Sequence, residues 1–234
     1  MIQRIRDVGG PALAVLAAIS FVSSLGISIM LPLLPLYGLS LGATPLQLGL
    51  MTSGFAIANG VAQFISGFAM DRFGARRFIV AGIGAYAFAN VLIATAQTAI
   101  ALIGYRVVAG FGGGINMVAT RVYIAQTAQQ ASLAFFNSII SAANSAGSVL
   151  GPAFGGFVAA SGDLRAPFFI VAGTSAVAFV AATFLPRPKP RPHDAATTAV
   201  VGGRLWNRTV LILLVANLLL LIGFGGWLPS LGTV

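Results

Sequence analysis

Arg106 is the only charged residue that the sequence places within one of its long apolar segments. An arginine at the centre of a bilayer costs about 2.5–3.5 kcal/mol on insertion scales, and such residues commonly mark substrate or ion pathways. Gly110, Gly113 and Met117 follow at helical spacing on the same face. The two glycines leave room for water, a substrate or a neighbouring backbone. The pattern favours an arginine that contacts substrate or stabilises a proton pathway; a structural arginine bonded to carbonyl groups is the alternative.

Amide and hydroxyl side chains form polar stripes on two other apolar segments. One stripe contains Asn137, Ser141, Asn144 and Ser148, and the other contains Thr52, Asn59, Gln63 and Ser66. Amides are costly to bury in lipid without hydrogen bonds, so these faces are expected to meet protein or water. The four amides are therefore candidates to line a polar cavity, and bonding between helices is the alternative.

Metal and enzyme chemistry are excluded by what the sequence lacks. It contains no cysteine and a single histidine, His193, which rules out thiolate and multi-histidine metal sites. No nucleophile and base stand together as a covalent enzyme mechanism requires, and no cofactor motif is present. The acidic residues all fall in predicted loops or tails: Asp7, Asp71, Asp163 and Asp194.

The composition is typical of a membrane protein. Of the 234 residues, 58% are hydrophobic and 7% are charged, with a mean hydropathy of +0.96, whereas soluble domains are about half apolar and a quarter charged. The formal net charge is +9. On a soluble protein this charge would favour nucleic acid binding. Here the basic residues are topology signals, and we expect no nucleic acid partner.

Seven apolar segments are long enough to span a bilayer as helices, which requires about 20 residues. They are Ala12–Tyr37, Pro45–Met70, Phe78–Ala96, Ala99–Thr120, Phe135–Ala160, Ala166–Pro186 and Thr209–Leu228. Residues 187–208 are basic and proline-rich, as in a solvated linker. We therefore predict an all-α polytopic membrane protein with a six-helix bundle over 1–186, a cytoplasmic linker over 187–208 and a seventh helix over 209–234.

The basic residues also predict the orientation of these helices in the plasma membrane. Eleven of them fall on one side, in the N-terminal segment, in the loops after the second and fourth helices and in the linker, and Arg165 alone falls on the other side. This asymmetry places the N-terminus and the linker in the cytoplasm.

The segment between the second and third predicted helices concentrates charge that is scarce elsewhere. Its spaced residues are Gly67, Asp71, Arg72, Gly74, Arg76 and Arg77. Gly74 permits a tight reversal, and Asp71 needs a nearby cation because a carboxylate is disfavoured where a helix ends. This spacing resembles the corresponding loop of the major facilitator superfamily. The resemblance implies a gating loop that latches against a second helical bundle.

Three further segments resemble motifs of the same superfamily. The first and the third of them, in predicted helices 1 and 5, resemble motifs of its drug/proton antiporter branch. The three segments are Leu25-Gly26-x5-Pro32-x2-Pro35, Leu102-x3-Arg106-x2-Ala109-Gly110-x-Gly112-Gly113 and Gly147-x3-Gly151-Pro152-x2-Gly155-Gly156. The glycines and prolines of these motifs are expected to serve helix packing. The resemblance also implies that the fifth-helix glycines lie near a helix of the other half.

The resemblance implies a six-helix N-terminal bundle of two inverted three-helix repeats, which needs a second bundle from the same or another chain. It implies export of small amphipathic molecules by alternating access, with a small-molecule substrate and the lipid bilayer as partners. A proton carrier titrates within the membrane, which arginine does not, so proton coupling requires an acid from the absent half. A uniporter or a sugar or metabolite carrier is a second interpretation, and a truncated, non-transporting half is a third.

Overall fold

The computed structural model describes residues 10–128, 132–160 and 162–187, apart from the side chain of Asp71. Over these ranges the chain is helical and contains no strand. The helices are α1 (Gly10–Ser40), α2 (Pro45–Phe73), α3 (Ala75–Ala94), α4 (Ala99–Thr127), α5 (Leu133–Ala159) and α6 (Ala166–Thr183). All six are long and apolar enough to cross a membrane, which confirms the first six predicted spans. The predicted seventh span and the linker beyond Arg187 lie outside the described residues.

Local sequence signals explain several helix boundaries. Thr44 and Gln47 form a reciprocal capping box at the start of α2: the Gln47 N–H donates to Thr44 Oγ1 at 3.3 Å, and the Thr44 N–H donates to Gln47 Oε1 at 2.8 Å. Thr98 caps α4 through a bond from the Ala101 N–H. Gly74 separates α2 from α3 with a φ of 81°, a left-handed conformation that favours glycine. The predicted tight reversal at this residue is therefore present.

The main packing contacts link the six helices in an open chain of neighbours with α2 and α5 at its two ends. α2 packs on α4, α4 on α3, α3 on α6, α6 on α1 and α1 on α5. Exchanging α1 with α4, α2 with α5 and α3 with α6 leaves this pattern unchanged. That is the pattern expected of two three-helix repeats related by a two-fold axis. About half of the α3 span is buried inside the bundle, against 17% of the α2 and α5 spans, so α2 and α5 leave most of their surface for lipid or for other protein.

Glycines bring three pairs of helices into backbone contact. A Cβ atom on Gly114 of α4 would lie 2.3 Å from the Asn59 carbonyl oxygen of α2, and one on Gly112 would lie 2.5 Å from the Tyr86 nitrogen of α3. A Cβ on Gly147 of α5 would lie 2.6 Å from the Phe21 carbonyl oxygen of α1. Small residues at these crossings let membrane helices approach closely enough for dispersion contacts to hold them.

The prolines of the predicted motifs lie within continuous helices. α1 runs from Gly10 to Ser40 through Pro32 and Pro35, and α5 runs through Pro152. All three prolines are exposed. Gly26 is buried opposite α3 and α6, and a Cβ there would lie 2.8 Å from the Tyr86 hydroxyl oxygen. Gly26 of the helix 1 motif therefore serves the packing of α1 against α3 and α6.

Candidate functional site

The Arg106 side chain is enclosed by three helices. It starts from the third turn of α4, and 4% of its surface is exposed. Its Nη1 donates to the Met30 sulfur of α1 at 3.1 Å. The guanidinium carbon lies 4.2 Å from the centre of the Phe55 ring of α2. The cation is therefore held inside the protein and not among lipid headgroups.

Neither partner of Arg106 carries a charge. A thioether is a weak acceptor, and an aromatic ring attracts a cation by about 0.5–2 kcal/mol. The Arg106 Nε has no hydrogen-bond partner among the described residues. The only acidic residue within the described helices is Asp71, in the last turn of α2. Buried charges are usually paired, so this guanidinium keeps unused capacity to bind an anionic group.

The space predicted beside Arg106 is largely filled by neighbouring backbone. A Cβ on Gly110 would lie 2.4 Å from the Phe55 carbonyl oxygen, so this glycine serves the packing of α4 on α2. A Cβ on Gly113 would meet the Asn59 side-chain nitrogen at 3.3 Å. Met117, predicted to share the same face, is 45% exposed. The sequence left open whether the glycines make room for water, for a substrate or for a neighbouring backbone. At Gly110 the structure shows contact with a neighbouring backbone.

The two amides of α2 bond to each other and to α4. The Gln63 Nε2 donates to Asn59 Oδ1 at 2.6 Å, and the Asn59 Nδ2 donates to the Gly110 carbonyl oxygen at 3.3 Å. Both side chains are half-buried. The described structure therefore ties this pair to the helix that carries Arg106, one turn beyond it, and leaves part of each amide accessible.

The polar stripe of α5 lies beside the seam with α1. Asn137 and Asn144 are exposed. Ser24 of α1 bonds to the Asn144 carbonyl oxygen at 2.7 Å and to the Ser148 hydroxyl at 2.8 Å. The serines therefore hold the two helices together, and the two asparagine side chains remain on the surface of the bundle.

The glycines of α5 divide between the two sides of the helix. Gly147, Gly151 and Gly155 are buried against α1 of the same bundle, and a Cβ on Gly156 would meet no described atom within 4 Å. The face at Gly147, Gly151 and Gly155 is thus already occupied. Any contact of this motif with a second helical bundle therefore has to use the opposite face of α5.

A buried polar cluster between α1, α3 and α4 was not predicted from the sequence. The Asn116 Nδ2 donates to Ser23 Oγ at 3.3 Å. The Asn116 Oδ1 and the Thr120 hydroxyl are buried without a hydrogen-bond partner among the described residues. Asn116 and Thr120 lie one turn apart on a glycine-rich helix, and this spacing is the sequence signal from which the cluster could have been predicted. Tyr86 and Asn90 of α3 are also buried.

The predicted gating loop is partly anchored to the bundle. The Arg76 side chain donates to the carbonyl oxygens of Leu185 and Thr183 at the end of α6. Arg72 is exposed, with its guanidinium carbon 5.6 Å from the Phe73 ring, and Arg77 is also exposed. A Cβ on Gly67 would meet no described atom within 4 Å. The two adjacent arginines therefore have different roles. Arg76 caps the end of α6, and Arg77 is exposed and accessible to other molecules.

Comparison with known proteins identifies the family of this six-span bundle. The family model of the Major Facilitator Superfamily matches residues 16–234. The chain belongs to the major facilitator superfamily. It is thus a multi-pass membrane protein of a transporter family and not an enzyme, as the sequence predicted. Major facilitator proteins carry small-molecule substrates, often together with protons.

Curated relatives within the major facilitator superfamily include drug-resistance proteins. The chain is 31% identical over 153 residues to an uncharacterized MFS-type transporter of Methanocaldococcus jannaschii, covering 64% of this chain and 39% of the relative. It is 26% identical to Multidrug resistance protein 2 of Bacillus subtilis, covering 70% and 41%. It is 28% identical to Quinolone resistance protein NorA of Staphylococcus aureus, covering 70% and 42%. The match thus spans about two fifths of each relative, and these names support the drug-transporter branch.

Solved structures of the major facilitator superfamily share the fold. The human organic anion transporter MFSD10 superposes with a TM-score of 0.63 at 21% identity, over 77% of this chain and 48% of that one. A D-xylose-proton symporter superposes with a TM-score of 0.65 at 18% identity, over 82% of this chain and 51% of that one. The described bundle therefore corresponds in extent to about half of a solved transporter.

The anchoring of the major facilitator loop can be tested at Arg76. We expect Arg76→Gln to lower the free energy of unfolding by about 1.5–3 kcal/mol, because hydrogen bonds to a charged group are lost and carbonyls at the end of α6 lose their partner. Thermal unfolding of the purified chain in lipid-free detergent measures this change. Arg77→Gln is the control, since its side chain is exposed. Equal melting of the two variants would contradict the capping role.

Proposed function

We propose that this chain forms the N-terminal half of a transporter that exports small amphipathic molecules by alternating access. The observation that carries the proposal is the buried Arg106 guanidinium, which lies between a thioether and a phenyl ring with one N–H group unpaired. The names of the multidrug and quinolone resistance relatives support drug-like substrates. The chain lies in the plasma membrane with its N-terminus in the cytoplasm, as its basic residues favour.

Alternating access requires a second six-helix bundle that rocks against this one. It comes from the same chain beyond the predicted linker at 187–208, where 209–234 begins it, or from another chain. The large exposed surfaces of α2 and α5 provide the area for that contact. The exposed amides Asn137 and Asn144 and the half-buried pair Asn59 and Gln63 then face the central cavity, where they bind polar groups of the substrate.

Arg106 acts in this scheme as a fixed positive charge. Its two present partners hold it weakly, so an anionic group that enters the cavity competes for the guanidinium. A carboxylate of the second bundle pairs with it when ionised and leaves it when protonated. Protonation of that acid thereby frees the cation for another partner and couples proton movement to the exchange of conformations. Arg106 itself stays protonated throughout.

Export of a fluorescent cation from proteoliposomes tests the proposal. We expect the rate to rise when a pH gradient is imposed. Equal rates with and without the gradient would favour a uniporter or metabolite carrier, which the lack of acidic residues inside the predicted spans supports. No movement of the probe by the chain alone or combined with a second bundle would instead identify a non-transporting half.

The gating loop consists of Gly67, Asp71, Arg72, Gly74, Arg76 and Arg77, and it latches against the second bundle when the cytoplasmic side is closed. We expect Asp71→Asn to slow the conformational exchange at least tenfold while substrate affinity changes less than twofold, because the latch loses a charged partner outside the binding cavity. Export rates and equilibrium binding of the same probe separate the two quantities. A loss confined to affinity would contradict the latch.

A further inference from the structure

A groove with a volume of about 490 Å³ lies between α3 and α6, away from Arg106. Its walls come from the first three turns of α3 and the last turns of α6. Arg76 and Arg77 line one end, and the other lining residues are Val80, Ala81, Gly84, Ala85, Phe179 and Thr183. None of its lining residues belongs to α2 or α5, the helices whose surfaces the proposed transport function assigns to the contact with a second bundle.

The groove is polar at one end and apolar at the other. Its two arginines follow directly after the break at Gly74, in the first turn of α3. Gly84 lies seven residues further along the helix from Arg77, which corresponds to about 10 Å. At that depth the Phe179 ring packs directly on Gly84, since a Cβ there would lie 2.9 Å from the ring. The lining therefore changes from cationic to hydrocarbon-like along the direction in which the helices enter the membrane.

The polar end is suited to a phosphate group. Arg77 is exposed. Arg76 uses its Nε and Nη2 on the end of α6, and its Nη1 has no hydrogen-bond partner among the described residues. The first turn of α3 adds the partial positive charge of a helix N-terminus. The residues that line the groove include no acidic side chain. Two cations and a helix start, with no acidic residue in the lining of the groove, complement an anionic headgroup.

We infer that this groove is a binding site for an anionic phospholipid of the cytoplasmic leaflet. The phosphate binds at Arg77 and at the free side of Arg76, and one acyl chain lies along Val80 and Gly84 against Phe179. The asymmetry of the basic residues places this end of the bundle in the cytoplasm, where anionic lipids are attracted to basic pockets between helices. A free phosphate would use the cationic end alone and would leave the apolar length of the groove unfilled.

Lipid retention by the purified 234-residue chain tests the site without any measurement of transport. Native mass spectrometry of the chain in detergent, titrated with dioleoylphosphatidylglycerol or dioleoylphosphatidylcholine, reports the fraction that carries bound lipid. We expect phosphatidylglycerol to bind more tightly than phosphatidylcholine, and Arg77→Gln to weaken phosphatidylglycerol binding about fivefold, as the loss of one basic residue at a membrane surface predicts.

Arg121→Gln is the matched control. Arg121 is an exposed arginine in the last turns of α4, on the same predicted side of the membrane, and its removal changes the net charge equally. We expect it to leave phosphatidylglycerol binding within twofold of the unsubstituted chain. Equal weakening by the two substitutions would show general attraction to a basic surface and would overturn the site.

A second variant tests the apolar end independently of charge. Ala81→Leu adds an apolar side chain at an exposed position of the groove lining and is expected to reduce phosphatidylglycerol retention at least threefold. Competition by inorganic phosphate distinguishes a headgroup site from a lipid site. Full displacement of the lipid by millimolar phosphate, or equal retention of the two lipids by the unsubstituted chain, would overturn the inference.

Discussion

Arg106→Met is expected to reduce export at least about 30-fold while leaving the bundle as stable as the unsubstituted chain or more stable. Loss of one partner of a buried charge pair costs about 2–5 kcal/mol in binding, and the proposed anion would lose the only buried cation among the described residues. Stability behaves differently because the guanidinium contacts a sulfur and a phenyl ring. Replacing a poorly paired buried charge with an apolar side chain of similar length is often neutral or stabilising.

Two measurements on the same preparation test this expectation. Initial export rates of the fluorescent probe report function, and thermal unfolding in detergent reports stability. Arg106→Lys keeps the charge but loses the planar fork of donors, so we expect an intermediate rate. Arg121→Gln removes an exposed arginine of the same helix and is expected to change neither quantity.

Either of two results would contradict the assignment of Arg106. Export at the unsubstituted rate by Arg106→Met would remove the residue from the transport site. A large fall in unfolding temperature would identify a structural arginine, whose contacts with α1 and α2 hold the bundle together.

Gly114→Ala is expected to destabilise the bundle by about 1–3 kcal/mol or more, a range typical of added methyl groups in packed interiors. The added Cβ would lie 2.3 Å from the Asn59 carbonyl oxygen, and the backbone of α2 has no rotamer by which it can move aside. α2 and α4 therefore have to separate, which also strains the bond from Asn59 to Gly110.

Gly104 supplies the control within the same helix. A Cβ on Gly104 would meet no described atom within 4 Å, and alanine favours a helix over glycine by about 1 kcal/mol. Gly104→Ala is therefore expected to melt at the same temperature or higher, and Gly114→Ala at a clearly lower one. Similar melting of the two variants would show that α2 and α4 tolerate separation and that their close contact is not essential.

The first six spans could be predicted because membrane insertion depends on properties that are local in the sequence. Hydrocarbon thickness sets the length of an apolar run, and backbone hydrogen bonds must close within each helix. The reversal at Gly74 was likewise predictable, since a positive φ is a property of one residue. The superfamily could be recognised for a related reason: its loop and glycine motifs lie within short stretches of chain.

The roles of individual glycines and arginines could not be read from the same local patterns. Gly104 and Gly114 lie on one helix, and only the approach of α2 makes the second of them intolerant of a methyl group. Arg76 and Arg77 are identical neighbours, yet one caps α6 and the other is exposed. These differences arise from residues about 50 to more than 100 positions away in the chain.

The sequence by itself determined that the chain spans the membrane, how many helices the described part contains and which residue carries the buried charge. Only the tertiary structure decided what surrounds that charge. Met30 and Phe55 come from two other helices, and nothing in their local sequence marks them as partners of Arg106. The physical reason is that insertion is governed by the hydropathy of each segment alone, whereas the partners of a buried group depend on which helix faces meet.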